Sequence, residues 1–244
     1  ILGQSYRIPA SVHEVAQKVL SRVSSRVEKE YKPRQEAGEV RRFGDVRQVK
    51  VAHGEDVLVL YRNHSLREDV EEMLIEQAVP YIVDSGKPGL LHSFTAQAVR
   101  AWQALVRDYS QMGQIMLDKR SMNTLMRNIK PLIQSRINRN LLDDIIDYHW
   151  TKVISAPIEH IRYLKTIEEA FGSLSVEPTV HLSTIHGSKG READRVILVN
   201  GMTMRSADSM QRDPDSEYRT FYVGVTRARQ TLDIVTGDNP LQVL

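Results

Sequence analysis

VHLSTIHGSKGREADRVILVN, residues 180–200, decides the fold. Val180–Ile185 and Arg195–Asn200 read as short strands rich in Val, Ile and Leu, as in a parallel sheet buried on both faces. Between them His186–Gly190, HGSKG, is a glycine-bearing turn. Upstream, Asp56–Tyr61 (DVLVLY) is apolar enough to be a central strand, and Ser65 offers an N-cap for a helix through Gln77. Leu66, Val70, Met73 and Leu74 face inward on that helix, Pro80 stops it, and Tyr81–Val83 forms another strand. Strand, helix, strand at this spacing is a βαβ unit and implies a parallel sheet. Glu39–Val46 and Leu232–Val235 add strands, with a helix at about 216–229 before the last. A first amphipathic helix spans 9–30, with Pro9 or Ser11 at its start.

From about residue 91 to 178 the alternation gives way to helix. Ala98, Trp102, Leu105 and Tyr109 form one stripe, and Met116, Leu125, Ile129, Leu132 and Ile133 extend the pattern, as does Ile161–Phe171. Met112, Met116, Met122 and Met126 are expected as core filler. The expected organisation is an α/β domain over 1–90 and 179–244, interrupted by a helical insertion over 91–178.

Of the 244 residues 41% are hydrophobic, which excludes bulk disorder. No apolar run reaches the roughly 18 residues of a membrane span, and ILGQSYRIPA is not a signal peptide. The missing initial Met points to a piece of a longer protein. Zero Cys excludes disulfides, thiolate metal sites and Cys nucleophiles, and fits a reducing, cytoplasmic location. A formal charge of +2 says little about partners, but residues 95–140 carry eight Lys or Arg against Asp108 and Asp118. Such a segment rewards contact with phosphates or serves as a solvated helix face.

HGSKG is not a phosphate loop of the form G-x-x-x-x-G-K-[ST], because Lys189 precedes Gly190. Gly86-Lys87 fails too, since Pro88 follows and residue 81 is Tyr. No acidic pair follows a strand to hold Mg²⁺. Ser183 beside His186 lacks a third orienting group for a nucleophile. In EYRTFYVGVTRARQTLDIV, residues 217–235, Tyr218, Phe221, Tyr222 and Val225 share one helix side, with Arg219 on another and Arg227 and Arg229 near the helix end. An Arg there suits a transferring phosphoryl group or merely complements the helix dipole. In QSYRIP, Tyr6 and Arg7 form a stacking and cationic pair.

Taken in order, YR before a helix, LVLYRN after a strand, TIHGSKGREADRVIL and YVGVTRARQTL resemble the carboxy-terminal half of UvrD/Rep/PcrA-like helicases of superfamily 1, of a type common in phage and bacterial genomes. The resemblance covers residues 1–86 and 179–238. It implies an α/β, RecA-like parallel sheet flanked by helices and lacking the phosphate loop, with an all-helical insertion where the family carries its 2B domain. It further implies that Tyr6 lies on the adenine of ATP, that Arg7 and Arg227 reach the γ-phosphate, and that Glu192 contacts the ribose beside Gly190. Arg62, Thr184, His186, Gly187 and Lys189 would lie along single-stranded DNA. Mg²⁺ would be held mainly by an N-terminal RecA-like domain, which is the implied partner together with DNA strands and duplex junctions; no membrane is implied. The implied activity is ATP-dependent 3′ to 5′ translocation, with this chain inactive alone. Arg191 and Ala193 stand where the family commonly has Leu and Phe, and the insertion is shorter than in large members. The alternative is a helicase-like module that binds DNA or a partner protein without catalysis.

Overall fold

A computed structural model describes residues 8–27, 32–84, 89–236 and 243–244. Tyr6 and Arg7 lie outside the described residues. The chain divides into two compact units, residues 1–87 with 178–244, and residues 88–177.

The first unit is built on a six-stranded sheet: β1 (Glu39–Phe43), β2 (Val57–Tyr61), β3 (Tyr81–Val83), β4 (Val180–Thr184), β5 (Ala193–Val199) and β6 (Ala228–Val235). The order is β1-β6-β5-β2-β4-β3, and every pairing is parallel. This is the flanked parallel α/β arrangement that the resemblance implies. All five residues of β2 are buried, as a run of Val, Leu and Tyr without polar alternation requires. Around the unit lie α1 (Ala10–Leu20) and α2 (Glu68–Glu76), with α8 (Met204–Arg212) and α9 (Pro214–Val225) between β5 and β6. Leu58 and Leu60 of β2, Val196 and Leu198 of β5, and Leu232 and Ile234 of β6 form one core with Val12, Val15 and Val19 of α1 and Phe221 and Val225 of α9. Residues of the other parity, Val57, Val59 and Ile197, are fully buried on the opposite face.

Several elements differ from the sequence expectation, each for a local reason. The strand β1 stops at Phe43 because Asp45 caps a 3-10 turn, accepting from the Arg47 amide at 2.8 Å. The second helix begins only at Glu68, after a 3-10 turn at His64–Leu66. Neither Pro9 nor Ser11 caps α1 with a side chain; the Ala10 and Ser11 amides donate to the Glu36 and Ala37 carbonyls at 3.0 and 2.8 Å. The helix also ends ten residues early. Ser24 and Ser25 turn their amides onto Asp215 at 2.8 and 3.0 Å, and both hydroxyls donate to the same carboxylate. These bonds, first the Ser24 amide and then the Ser25 hydroxyl, hold the Asp215 carboxyl well below the usual carboxylate range.

A lowered folded-state pKa stabilises above the unfolded value of about 4 and loses that stabilisation as pH falls below it. Asp215→Asn is therefore expected to be less stable than the parent protein at neutral pH, with the gap narrowing under acid. Urea midpoints across a pH series check this, and a gap independent of pH would contradict it.

The second unit is helical: α3 (Phe94–Met112), α4 (Lys119–Arg127), α5 (Pro131–Asn138), α6 (Trp150–Val153) and α7 (Ile158–Phe171). Ser93 caps α3, Asp118 caps α4, and Gly113 and Gly172 end α3 and α7 in the left-handed region. Trp102, Leu105, Leu125, Trp150, Tyr163 and Leu164 are buried. Trp102 donates to the Tyr148 carbonyl, while Trp150 and Gln103 both donate to Glu168, so the indoles are buried with partners. The methionines do not fill this core. Met112 and Met116 are 56% and 61% exposed, and Met122 and Met126 are half-buried, because the two tryptophans already occupy the interior.

Candidate phosphate-binding cleft

The turn after β4 and the helix before β6 come together over one face of the sheet. The end of β4 pairs Thr184 with Tyr61, at the carboxyl ends of the strands, whereas Ala193 opens β5 beside Ala228 at their amino ends. Residues 185–192 must therefore cross the sheet in one short passage. They do so as successive tight turns: the Ser188 amide donates to the Thr184 carbonyl at 3.0 Å, the Ser188 hydroxyl to Ile185 at 2.7 Å, and the Arg191 amide to Ser188 at 2.9 Å. Gly187 N–H donates to the Thr184 hydroxyl at 3.0 Å. Gly190 has φ +86°, a conformation that glycine adopts without strain.

Helix α9 runs alongside this passage. Asp213 caps it through the Ser216 amide, and Pro214 occupies its first turn. A Cβ on Gly224 would sit 3.2 Å from Leu198 and 3.5 Å from Ile185, so the glycine lets the helix approach both. Between turn and helix lies a cleft of about 360 Å³. His186 and Lys189 line one wall, and Arg219, Thr220, Val223 and Arg227 the other. From Ser216 to Val223 the helical part of that wall is roughly 10 Å long at about 1.5 Å per residue. Among the described residues no carboxylate lines the cleft.

The guanidinium of Arg227 is aimed by backbone. Its Nε donates to the Val223 carbonyl at 3.0 Å, and one terminal nitrogen to the Arg191 carbonyl at 3.3 Å. Arg191, in the place of the family's Leu, pairs with Asp84 at 3.0 Å and tethers that stretch to the end of β3. Glu192 sits half-buried beside it, just before β5. Arg229 does not join Arg227 at a helix end. The helix stops at Val225, so Arg229 lies in β6 and pairs with Asp56 and Asp194 at 2.7 and 3.1 Å. His186, Gly187, Lys189 and Gly190 thus lie on one continuous turn that follows Thr184 at the end of β4, with Arg227 across the cleft.

Arg62 is placed differently. Both arms of its fork are on Glu217, at 2.8 and 2.7 Å, and both side chains are largely buried. The geometry makes Arg62 a clamp between the end of β2 and the first turn of α9. Next to it Asn63 accepts from the Thr203 amide at 3.1 Å and donates to Ser206 at 2.9 Å, holding the start of α8. Sequence reasoning missed Arg219 as a cleft residue. Its guanidinium donates to the Ser25 hydroxyl at 2.7 Å, near Asp215 at 3.7 Å. The available signal was the helical recurrence of Ser216, Thr220, Val223 and Arg227, whose face Arg219 adjoins.

A parallel α/β sheet flanked by helices, with a cationic cleft between a glycine-bearing turn and an arginine-bearing helix, is a RecA-like arrangement. The family model for the UvrD-like helicase C-terminal domain matches residues 94–238, more than half of the chain, and the chain belongs to that family. The resemblance to the C-terminal region of UvrD/Rep/PcrA-like helicases thus holds, and with it a helicase motor-domain role. A comparison with curated proteins finds no match. Among the described residues no helix is long and apolar enough to cross a membrane.

Proposed function

We propose that the full-length protein is an ATP-driven helicase moving 3′ to 5′ on single-stranded DNA, and that this chain supplies the second half of a split ATP site. The observation that carries this reading is the cleft where Arg227, Arg219, Lys189 and His186 converge. A permanently charged, planar fork bonds phosphate oxygens in pairs, which suits Arg227 to charge developing on the γ-phosphate. Arg7 joins it there, Tyr6 stacks on the adenine, and Glu192 accepts from the ribose beside Gly190. Thr184, His186, Gly187 and Lys189 follow the DNA strand, and Arg62 serves by holding α9.

Water attacks the γ-phosphorus and ADP departs; this chain's part is to neutralise the charge on the transferring group. Among the described residues no three His, Asp or Glu side chains form a metal-binding group. The metal, phosphate loop and hydrolytic carboxylate belong to an N-terminal RecA-like domain in this reading. Closure of that domain onto the cleft couples DNA grip to hydrolysis, and duplex junctions are opened as the motor advances.

The test is ATPase activity of the full-length protein and of this chain alone, each with and without single-stranded DNA. DNA-dependent turnover only in the full-length protein is expected. No turnover in either would return the chain to a non-catalytic DNA-binding or protein-binding module. Glu192→Ala in the full-length protein is expected to raise the KM for ATP by about tenfold, the worth of one hydrogen bond made in ground and transition states alike. A fall in kcat with KM unchanged would contradict the ribose contact.

A further inference from the structure

A second cleft, of about 250 Å³, lies within the helical unit between α3 and α4. Gln97 and Arg100 line it from α3, and Arg120, Ser121 and Thr124 from α4. Ala101 and Ala104 give it an apolar floor. The two arginines differ from Arg107 and Arg136 of the same segment. Arg107 and Arg136 pair with Asp108 and Asp144 at 3.2 and 2.6 Å. Arg100 is half-buried, and among the described residues its bonds go only to the Leu91 and Leu174 carbonyls, at 2.7 and 3.2 Å. Burial without a counter-charge pushes its pKa down.

The Arg120 guanidinium has no carboxylate partner among the described residues either. Asp118, the nearest acid in sequence, accepts from the Arg120 and Ser121 amides at 2.8 and 3.0 Å and from the Ser121 hydroxyl at 2.7 Å; it does not line the cleft. Two guanidiniums without carboxylate partners among the described residues therefore line one cleft, in the segment whose charge is +6 over residues 95–140.

We infer that the α3–α4 cleft binds a phosphate group between Arg100 and Arg120, with Thr124 and Gln97 as further partners and the alanine floor against the attached sugar or base. The volume falls below the roughly 300–1,000 Å³ of pockets for drug-sized ligands and suits one nucleotide unit. An anion there compensates Arg100, which the fold leaves with carbonyls alone. The phosphate comes from a nucleic-acid strand or from a free nucleotide. This inference rests on the helical unit and is independent of the reading of the α/β cleft.

The test follows backbone amide resonances of the intact chain while inorganic phosphate, and separately a short oligothymidylate, are added. Shifts at Ser121, Thr124 and Ala101 are expected, and Arg120→Gln is expected to abolish them. Arg120→Gln is the deciding variant because its side chain bonds nothing else among the described residues, whereas Arg100→Gln removes two carbonyl contacts that hold the fold. Shifts with the oligonucleotide at far lower concentration than with phosphate identify a strand as the source, and comparable shifts with phosphate alone identify a free ligand. No shift at these residues with either probe, or shifts that survive Arg120→Gln, would overturn the inference.

Discussion

Arg227→Ala in the full-length protein is expected to lower DNA-stimulated ATP turnover by on the order of 10³ or more while leaving nucleotide affinity largely intact. The reason lies in where the guanidinium is held. Backbone carbonyls of Val223 and Arg191 take its Nε and one terminal nitrogen, so the side chain is held in place on the wall of the cleft that it lines. In the proposed site a fixed planar cation stabilises the transferring phosphoryl group more than the bound ground state, and kcat carries the loss. Arg227→Lys keeps a cation but loses the planar fork, and is expected to recover little of the rate. Steady-state ATPase assays with saturating single-stranded DNA separate the two constants. Turnover unchanged in Arg227→Ala would remove the residue from the reaction, and a rise in KM alone would make it a binding contact.

The local pattern of the sheet was legible because parallel strands buried on both faces need continuous apolar runs. VLVLY in β2 and RVILV in β5 are such runs, short and rich in β-branched residues, which favours strand over buried helix. What the pattern could not carry was order. The βαβ unit from β2 to β3 looks like a pair of neighbours, yet β4 enters between them after the whole helical unit has intervened. That placement depends on pairings distant in sequence, on which local periodicity is silent. The cleft was half legible for a similar reason. HGSKG and VTRA were visible as motifs, but their facing depends on Gly224 admitting α9 against Ile185 and Leu198. Arg62 and Glu217 stand 155 positions apart, so nothing in the neighbouring sequence showed that Arg62 spends its fork on a buried pair. Composition misplaced the methionines: an apolar side chain is free to lie at the surface once larger rings have filled the interior.

The face of the sheet opposite α9 sets the largest stability effect. Asp233 of β6 is fully buried, and its carboxylate accepts from Arg195 of β5 at 2.5 and 2.7 Å and from Arg41 of β1 at 2.6 and 3.1 Å. Arg195 is itself nearly buried and reaches on to Glu55 at 2.9 Å and to the Lys50 carbonyl at 2.8 Å. One carboxylate thus joins three adjacent strands, β1, β6 and β5, across their side chains. Removing it leaves the Arg195 charge in the interior facing only Glu55, which is partly exposed. Breaking a buried pair from one side costs about 3–5 kcal/mol, a large share of the roughly 5–15 kcal/mol that holds a domain together. Asp233→Ala is therefore expected to lower the melting temperature of the α/β unit by on the order of 10 °C. Removing both charges has a different outcome. Asp233→Leu with Arg195→Met leaves no stranded buried cation, and is expected to recover most of the lost stability because an apolar pair can replace a buried ion pair at little cost. Urea and thermal unfolding of the parent protein, the single variant and the double variant decide the matter. A single variant within about 1 kcal/mol of the parent, the worth of an exposed pair, would mean that the network is solvated and does not bind the strands together.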